Sequence, residues 1–162
     1  DSALVSVRIA DNRRLCVATP AYLERRGTPK HPSELTQHDC LTLSSDASQT
    51  RGWAFRIPHP ESGTSEVVHF KPGGPLDCSD GQVLHDWCLG GWGIAWRSTW
   101  EVEAEIAAGR LVPVLEDFAA PPNGIFVVFP QRKHMPLHVR LWIEFLKRHY
   151  GQAAFWRRSS ST

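Results

Sequence analysis

The chain lacks the signatures of several common enzyme classes. It contains no GxSxG elbow, no GxxxxGK[ST] loop and no HExxH pair, so nothing in it points to serine-hydrolase, phosphate-loop or zincin chemistry. It lacks a run of about eighteen apolar residues, so no segment reads as a membrane span. No secretory signal pattern opens it. Neither sign of charge is in surplus: 18 Lys and Arg against 17 Asp and Glu leave +1, and no basic face calls for nucleic acid. Cysteine is sparse. Cys16, Cys40, Cys78 and Cys88 form no CxxC pair, and three of them sit inside apolar runs, where a thiol behaves as a small buried hydrophobe. That favours a reducing, cytoplasmic setting over a disulfide framework. No internal repeat is visible.

What is present supports a real core. At 162 residues, 41% hydrophobic and with seven Trp, the chain is long enough for one domain with a small appendage. Leu4–Ile9 alternates as a half-buried strand does, and Asp11-Asn12-Arg13 is expected to break it. Leu15–Ala18 resumes as a more buried strand. Thr19-Pro20 opens a helix that Gly27 stops. A short helical turn over 29–36 and a strand over 39–43 follow, then a polar loop at 44–51. Trp53–Ile57 and Glu66–Lys71 read as a hairpin joined by a polar turn.

The stretch from Leu76 to Leu115 reads strand, helix, strand, helix, strand, each helix opening on a serine directly after a strand. Ser79 stands three residues before Gln82, and Ser98 three before Glu101. Both are capping-box patterns, in which the hydroxyl and the Glu or Gln satisfy orphan backbone N–H groups reciprocally. Two helix starts at one sheet edge form a setting for a small anion. The glycines of Gly90-Gly91-Trp92-Gly93 end one element and let the next pack closely. Leu137–Tyr150 is the longest helix, with Leu141, Trp142, Phe145, Leu146 and His149 at helical spacing. Strands alternating with helices, plus one hairpin, give an α/β class with a mixed sheet flanked by helices.

Three segments carry a family resemblance: RIADNRRLCVATPAYLERRGTPKHPSEL, the Asp80–Leu115 stretch, and VVFPQRKHMPLHVRLWIEFLKRHY. In this order they resemble the effector-binding region of LysR-type bacterial transcription regulators. The resemblance implies a periplasmic-binding-protein-like (type II) fold of two subdomains with a small-molecule effector between them. It makes 1–13 a remnant of the first subdomain and its crossover, and 14–127 the second subdomain. Residues 128–150 become the return crossover and closing helix of the first subdomain, and 151–162 a mobile tail. It implies that the winged helix-turn-helix and the opening half of the first subdomain are missing, that DNA is bound only through that absent domain, and that the chain forms a homo-oligomer. No cofactor, metal or membrane is implied.

The resemblance further places Thr19 and Ser79 where the second subdomain faces the effector. With Pro20, Cys78, Asp80, Trp96 and Arg97 they form the candidate ligand set. The family continues from Gly-x-Gly-Ile through apolar residues to a proline. Here Trp96-Arg97-Ser98-Thr99-Trp100 follows instead, setting a planar cation between two indoles. That would suit the carboxylate of a small acid.

Each candidate also has a plainer use. Thr19, Ser79 and Ser98 can simply cap helices, Trp96 and Trp53 can be core, and Arg97 can pair with Glu101. Asp80 serves its own helix electrostatically and would repel an anion lodged there. His134 and His138 stand four apart with Pro136 between them, a poor metal pair. A solute-binding protein of a transport system is the alternative function. An enzyme would need a base and nucleophile within reach, and no such constellation is present.

Overall fold

The computed structural model describes residues 4–44, 52–130 and 136–150. They fall into two compact units, one of 14–44 with 52–121 and one of 4–13 with 122–130 and 136–150.

The smaller unit is a two-stranded antiparallel ribbon with one helix. β1 (Leu4–Asn12) pairs with β9 (Asn123–Pro130), from Leu4 opposite Pro130 to Asn12 opposite Asn123, with a bulge between Arg8 and Ala10. The expected break at Asp11-Asn12-Arg13 narrows to Arg13, between β1 and β2. The ladder carries the strand on, since Asp11 and Asn12 find partners in Gly124 and Asn123, and cross-strand pairing overrides their poor strand propensity. The last helix (Leu137–Tyr150) packs on β1 and buries Ile143. The expected tail and His134 lie outside the described residues.

The larger unit is built on a five-stranded sheet in the order β6-β3-β7-β2-β8. Its strands are β2 (Arg14–Ala18), β3 (Cys40–Leu43), β6 (Leu76–Cys78), β7 (Ile94–Ser98) and β8 (Val112–Val114). β3 runs parallel to β6 and β7, and β2 runs antiparallel to β7 and β8. The period of two sorts the side chains to opposite faces. Cys16, Ala18, Cys40 and Ile94 join a cluster with Tyr22, Leu35, Trp53 and Phe55. Leu15, Val17, Leu41 and Ala95 join another with Leu84, Cys88, Val102 and Leu111.

The first face is covered by α1 (Pro20–Arg26), by a 3-10 turn (Pro32–Gln37) and by the hairpin of β4 (Trp53–His59) with β5 (Thr64–Phe70). The hairpin ladder reaches His59 opposite Thr64, so the turn is tighter than the sequence implied. The second face is covered by α2 (Gly81–Leu89) and α3 (Thr99–Ala107). Leu84 and Val102 are the buried anchors of these helices, each contributing roughly 1.5–3 kcal/mol by burial. The closing helix of the smaller unit is α4.

Gly93 shows why a glycine ends the α2-to-β7 connection. A Cβ there would lie 2.2 Å from the Asp39 carbonyl oxygen, and that oxygen accepts the Ile94 N–H at 2.8 Å.

Candidate functional site

Strand direction decides which candidates share an edge. β3, β6 and β7 are parallel, so the Cys78–Gly81 segment and the Arg97–Ser98 junction leave the sheet at the same end. Ser44 joins them there, its N–H donating to the Cys78 carbonyl at 2.7 Å. β2 is antiparallel to β7, with Arg14 opposite Ser98 and Val17 opposite Ala95. Thr19 and Pro20 therefore lie at the opposite end, and the structure does not bring them to Ser79. There Thr19 Oγ1 accepts the Tyr22 N–H at 3.2 Å as an ordinary cap, and Pro20 occupies the first helical position.

Ser79 does not cap α2. The cap is Asp80, whose Oδ1 accepts the N–H groups of Gln82 at 2.7 Å and Val83 at 3.2 Å. A carboxylate one residue nearer the helix satisfies two orphan donors and opposes the helix dipole, which a neutral hydroxyl does less well. The expected box with Gln82 is likewise absent, because that amide donates to Asp86 Oδ1 at 2.9 Å. Ser79 is left exposed beside the cap. The half-buried Cys78 thiol donates to the Asp80 carbonyl at 3.2 Å. At the next junction the expected capping box forms: Glu101 Oε2 accepts the Ser98 N–H at 3.0 Å.

Arg97 is tied within the fold. Its Nη2 donates to Glu101 Oε1 at 2.8 Å and to the Gly81 carbonyl at 3.2 Å, while its buried Nε has no partner among the described residues. Of the two uses open to it, the ion pair is the one observed.

Trp96 is half-buried against the core, with the Arg14 guanidinium 4.7 Å from its ring centroid and Trp53 stacked at 6.3 Å and 20°. The Arg14 stack escaped the sequence reading, because residues 82 positions apart carry no local signal. A usable clue to the Arg97 arrangement was Gly81, an odd choice for a first helical turn unless something lies against it.

Among the described residues no three His, Cys, Asp or Glu side chains group as metal ligands, and no helix is long and apolar enough to cross a membrane.

The geometry is that of a sheet edge with two helix starts, and the relatives of the chain give it a context. The model of the LysR substrate binding domain matches residues 1–151. The chain belongs to the LysR substrate-binding domain family. It is 33% identical to the HTH-type transcriptional regulator DmlR of Escherichia coli K12, over 92% of this chain and 46% of that protein. It is 31% identical to the activator TtdR of the same strain, over 85% of this chain and 42% of the relative. The regulatory domain of CrgA, a LysR-type regulator from Neisseria meningitidis, superposes with a TM-score of 0.74 at 30% identity, covering 93% of this chain and 71% of that one. Full-length AphB of Vibrio cholerae, described as a virulence activator, gives 0.72 at 26% identity over 93% of this chain and 49% of that one. The chain thus spans about half the length of the curated relatives it matches.

LysR-type regulatory domains have the periplasmic-binding-protein-like fold, and this chain shares it. The relatives are transcription regulators, not enzymes or transport proteins.

Proposed function

We propose that the chain is the effector-sensing part of a cytoplasmic LysR-type transcription regulator. In this reading 14–121 is the second effector-binding subdomain, shorter than the 14–127 expected because β9 pairs with β1, and 1–13 with 122–150 belong to the first. The effector is a small carboxylate-bearing molecule met by the edge that carries Cys78, Ser79, Asp80 and the Arg97–Ser98 junction. Thr19 and Pro20 are not part of it. One observation carries the proposal: α2 and α3 both begin at the same end of parallel strands, so two helix N-termini with their dipoles face one region. Each contributes at most about 0.3–1 kcal/mol toward an anion at a surface, and at α2 the Asp80 carboxylate already seated on the Gln82 and Val83 N–H groups offsets part of that. Such terms support micromolar to millimolar affinity, roughly −8 to −4 kcal/mol, only when further contacts join them.

Binding would bias a population of quaternary states and so reposition DNA-binding domains outside this chain. A homo-oligomer fits the surface of α4, where Leu141, Trp142 and Phe145 stand 53%, 61% and 55% exposed. The regulator reading is favoured over a transport protein by the relatives, which are regulators.

The test is a thermal-shift screen against aromatic and aliphatic acids, each paired with its primary amide. A dose-dependent rise with one acid and none with its amide is expected. A rise with amides alone would overturn the carboxylate assignment.

A further inference from the structure

Arg97 sits at the effector edge, yet its charge is already engaged inside the fold. Its side chain is 8% exposed. Nη2 holds Glu101 Oε1 at 2.8 Å and the Gly81 carbonyl at 3.2 Å, and the second carboxylate oxygen accepts the Ser98 N–H at 3.0 Å. One guanidinium therefore joins the end of β7 to the first turns of both α2 and α3. Gly81 is part of the arrangement. A Cβ built on it would lie 3.3 Å from Nη2 and 3.6 Å from Nη1, so a side chain at that position would press on the guanidinium.

We propose that Arg97 is a positioning residue of this edge and not its anion receptor. It is a neutralised clip that fixes the Cys78–Gly81 segment against the start of α3, and the effector is held by the hydrogen-bonding groups of that segment. The inference rests on the reading of this edge as the effector site. It deepens that reading by assigning specificity to fixed dipoles and hydroxyls, whose grip depends less on salt than a free cation's would.

The half-buried Cys78 thiol, at the head of the segment, provides a probe that needs no effector. Its alkylation rates with neutral iodoacetamide and anionic iodoacetate, resolved by peptide mass spectrometry, report the looseness of the segment and the local potential separately. In R97Q the iodoacetamide rate should rise by about tenfold or more, the factor for losing one charge-assisted hydrogen bond. The iodoacetate-to-iodoacetamide ratio should fall by about threefold, because the Glu101 carboxylate is left uncompensated. R97K should raise the iodoacetamide rate as R97Q does, because a lysine ends one bond short of the Nη2 position that meets both acceptors, while its charge keeps the ratio. E101Q keeps the capping hydrogen bond but uncovers the Arg97 charge, so the iodoacetate-to-iodoacetamide ratio should rise by about threefold.

An iodoacetamide rate unchanged in both R97Q and R97K, beside a ratio that falls only in R97Q, would make Arg97 an anion receptor and overturn the proposal. Unchanged rates in R97Q would remove the clip altogether. Should R97Q fail to fold, E101Q decides: a raised ratio supports the neutralised pair and an unchanged one overturns it. A failed acid screen beside these rate changes would overturn the effector reading alone.

Discussion

The Tyr22 hydroxyl lies 3.1 Å from His38 Nδ1 while accepting the Asp39 backbone N–H at 2.9 Å. Donation of the hydroxyl proton to Nδ1 suits a neutral imidazole protonated on Nε2, the form that burial favours. Burial is the first cause that lowers the His38 pKa, the nearby Arg26 the second, with Glu34 and Asp39 opposing.

This gives a pH dependence with a definite sign. The folded chain binds the His38 proton less readily than the unfolded chain, so stability is fully present above the unfolded value of about 6.5 and declines as pH falls through it toward the lower folded value. Chemical denaturation between pH 7.5 and 5 should show that loss. Tyr22→Phe should keep this part of the profile, since burial and Arg26 still lower His38, and, by stranding the Asp39 N–H, cost about 1–3 kcal/mol at neutral pH.

The thiols should divide sharply in reactivity. Burial pushes Cys40 and Cys88 up to about 12 and Cys16 well above its ordinary value, and all three are at most 2% exposed. Native-state labelling with iodoacetamide should modify Cys78 first and alone, and denaturation should release the other three. Labelling of Cys16 or Cys40 before Cys78 would contradict the core assignment.

Glu101 and Arg97 should be strongly non-additive. Glu101→Ala removes a cap and leaves a buried guanidinium without its counter-ion, a loss of about 3 kcal/mol. Arg97→Met with Glu101→Leu should be milder than the sum of the single changes. A double-mutant cycle by denaturant titration measures the coupling, and simple additivity would show that the pair does not act as a unit.

α4 should mediate self-association. Light scattering over an about tenfold dilution should show a mass that falls with concentration, and Trp142→Glu should give a monomer throughout. A monomeric wild-type chain at every concentration would contradict the oligomer reading.

Much of this architecture was legible because its causes are local. The Thr19 cap, the Gly27 stop, the Ser98–Glu101 box and the bounds of α4 each follow from residues within four positions of one another. The edge was less legible. Thr19 and Ser79 look alike as strand-to-helix junctions, but they part company once β2 runs antiparallel to β7, a fact set by pairing between distant segments. Asp80 displaced Ser79 as the cap because two adjacent residues both suited the role and the carboxylate wins electrostatically. Arg97 had two uses equally open in sequence, and the Gly81 carbonyl, sixteen residues away, helped decide between them. The Arg14–Trp96–Trp53 stack joins three separate strands and left no trace in any local pattern.

The most direct test of the central claim compares two serine- and threonine-to-alanine changes at opposite ends of the sheet. An acid that raises the Tm of the wild-type chain is titrated against Ser79→Ala and Thr19→Ala, each referred to its own ligand-free Tm. The effector-edge account predicts that the shift is lost in Ser79→Ala and kept in Thr19→Ala, even though the latter gives up a helix cap worth about 1 kcal/mol. A shift kept in Ser79→Ala and lost in Thr19→Ala, or no shift with any acid at millimolar concentration, would contradict it.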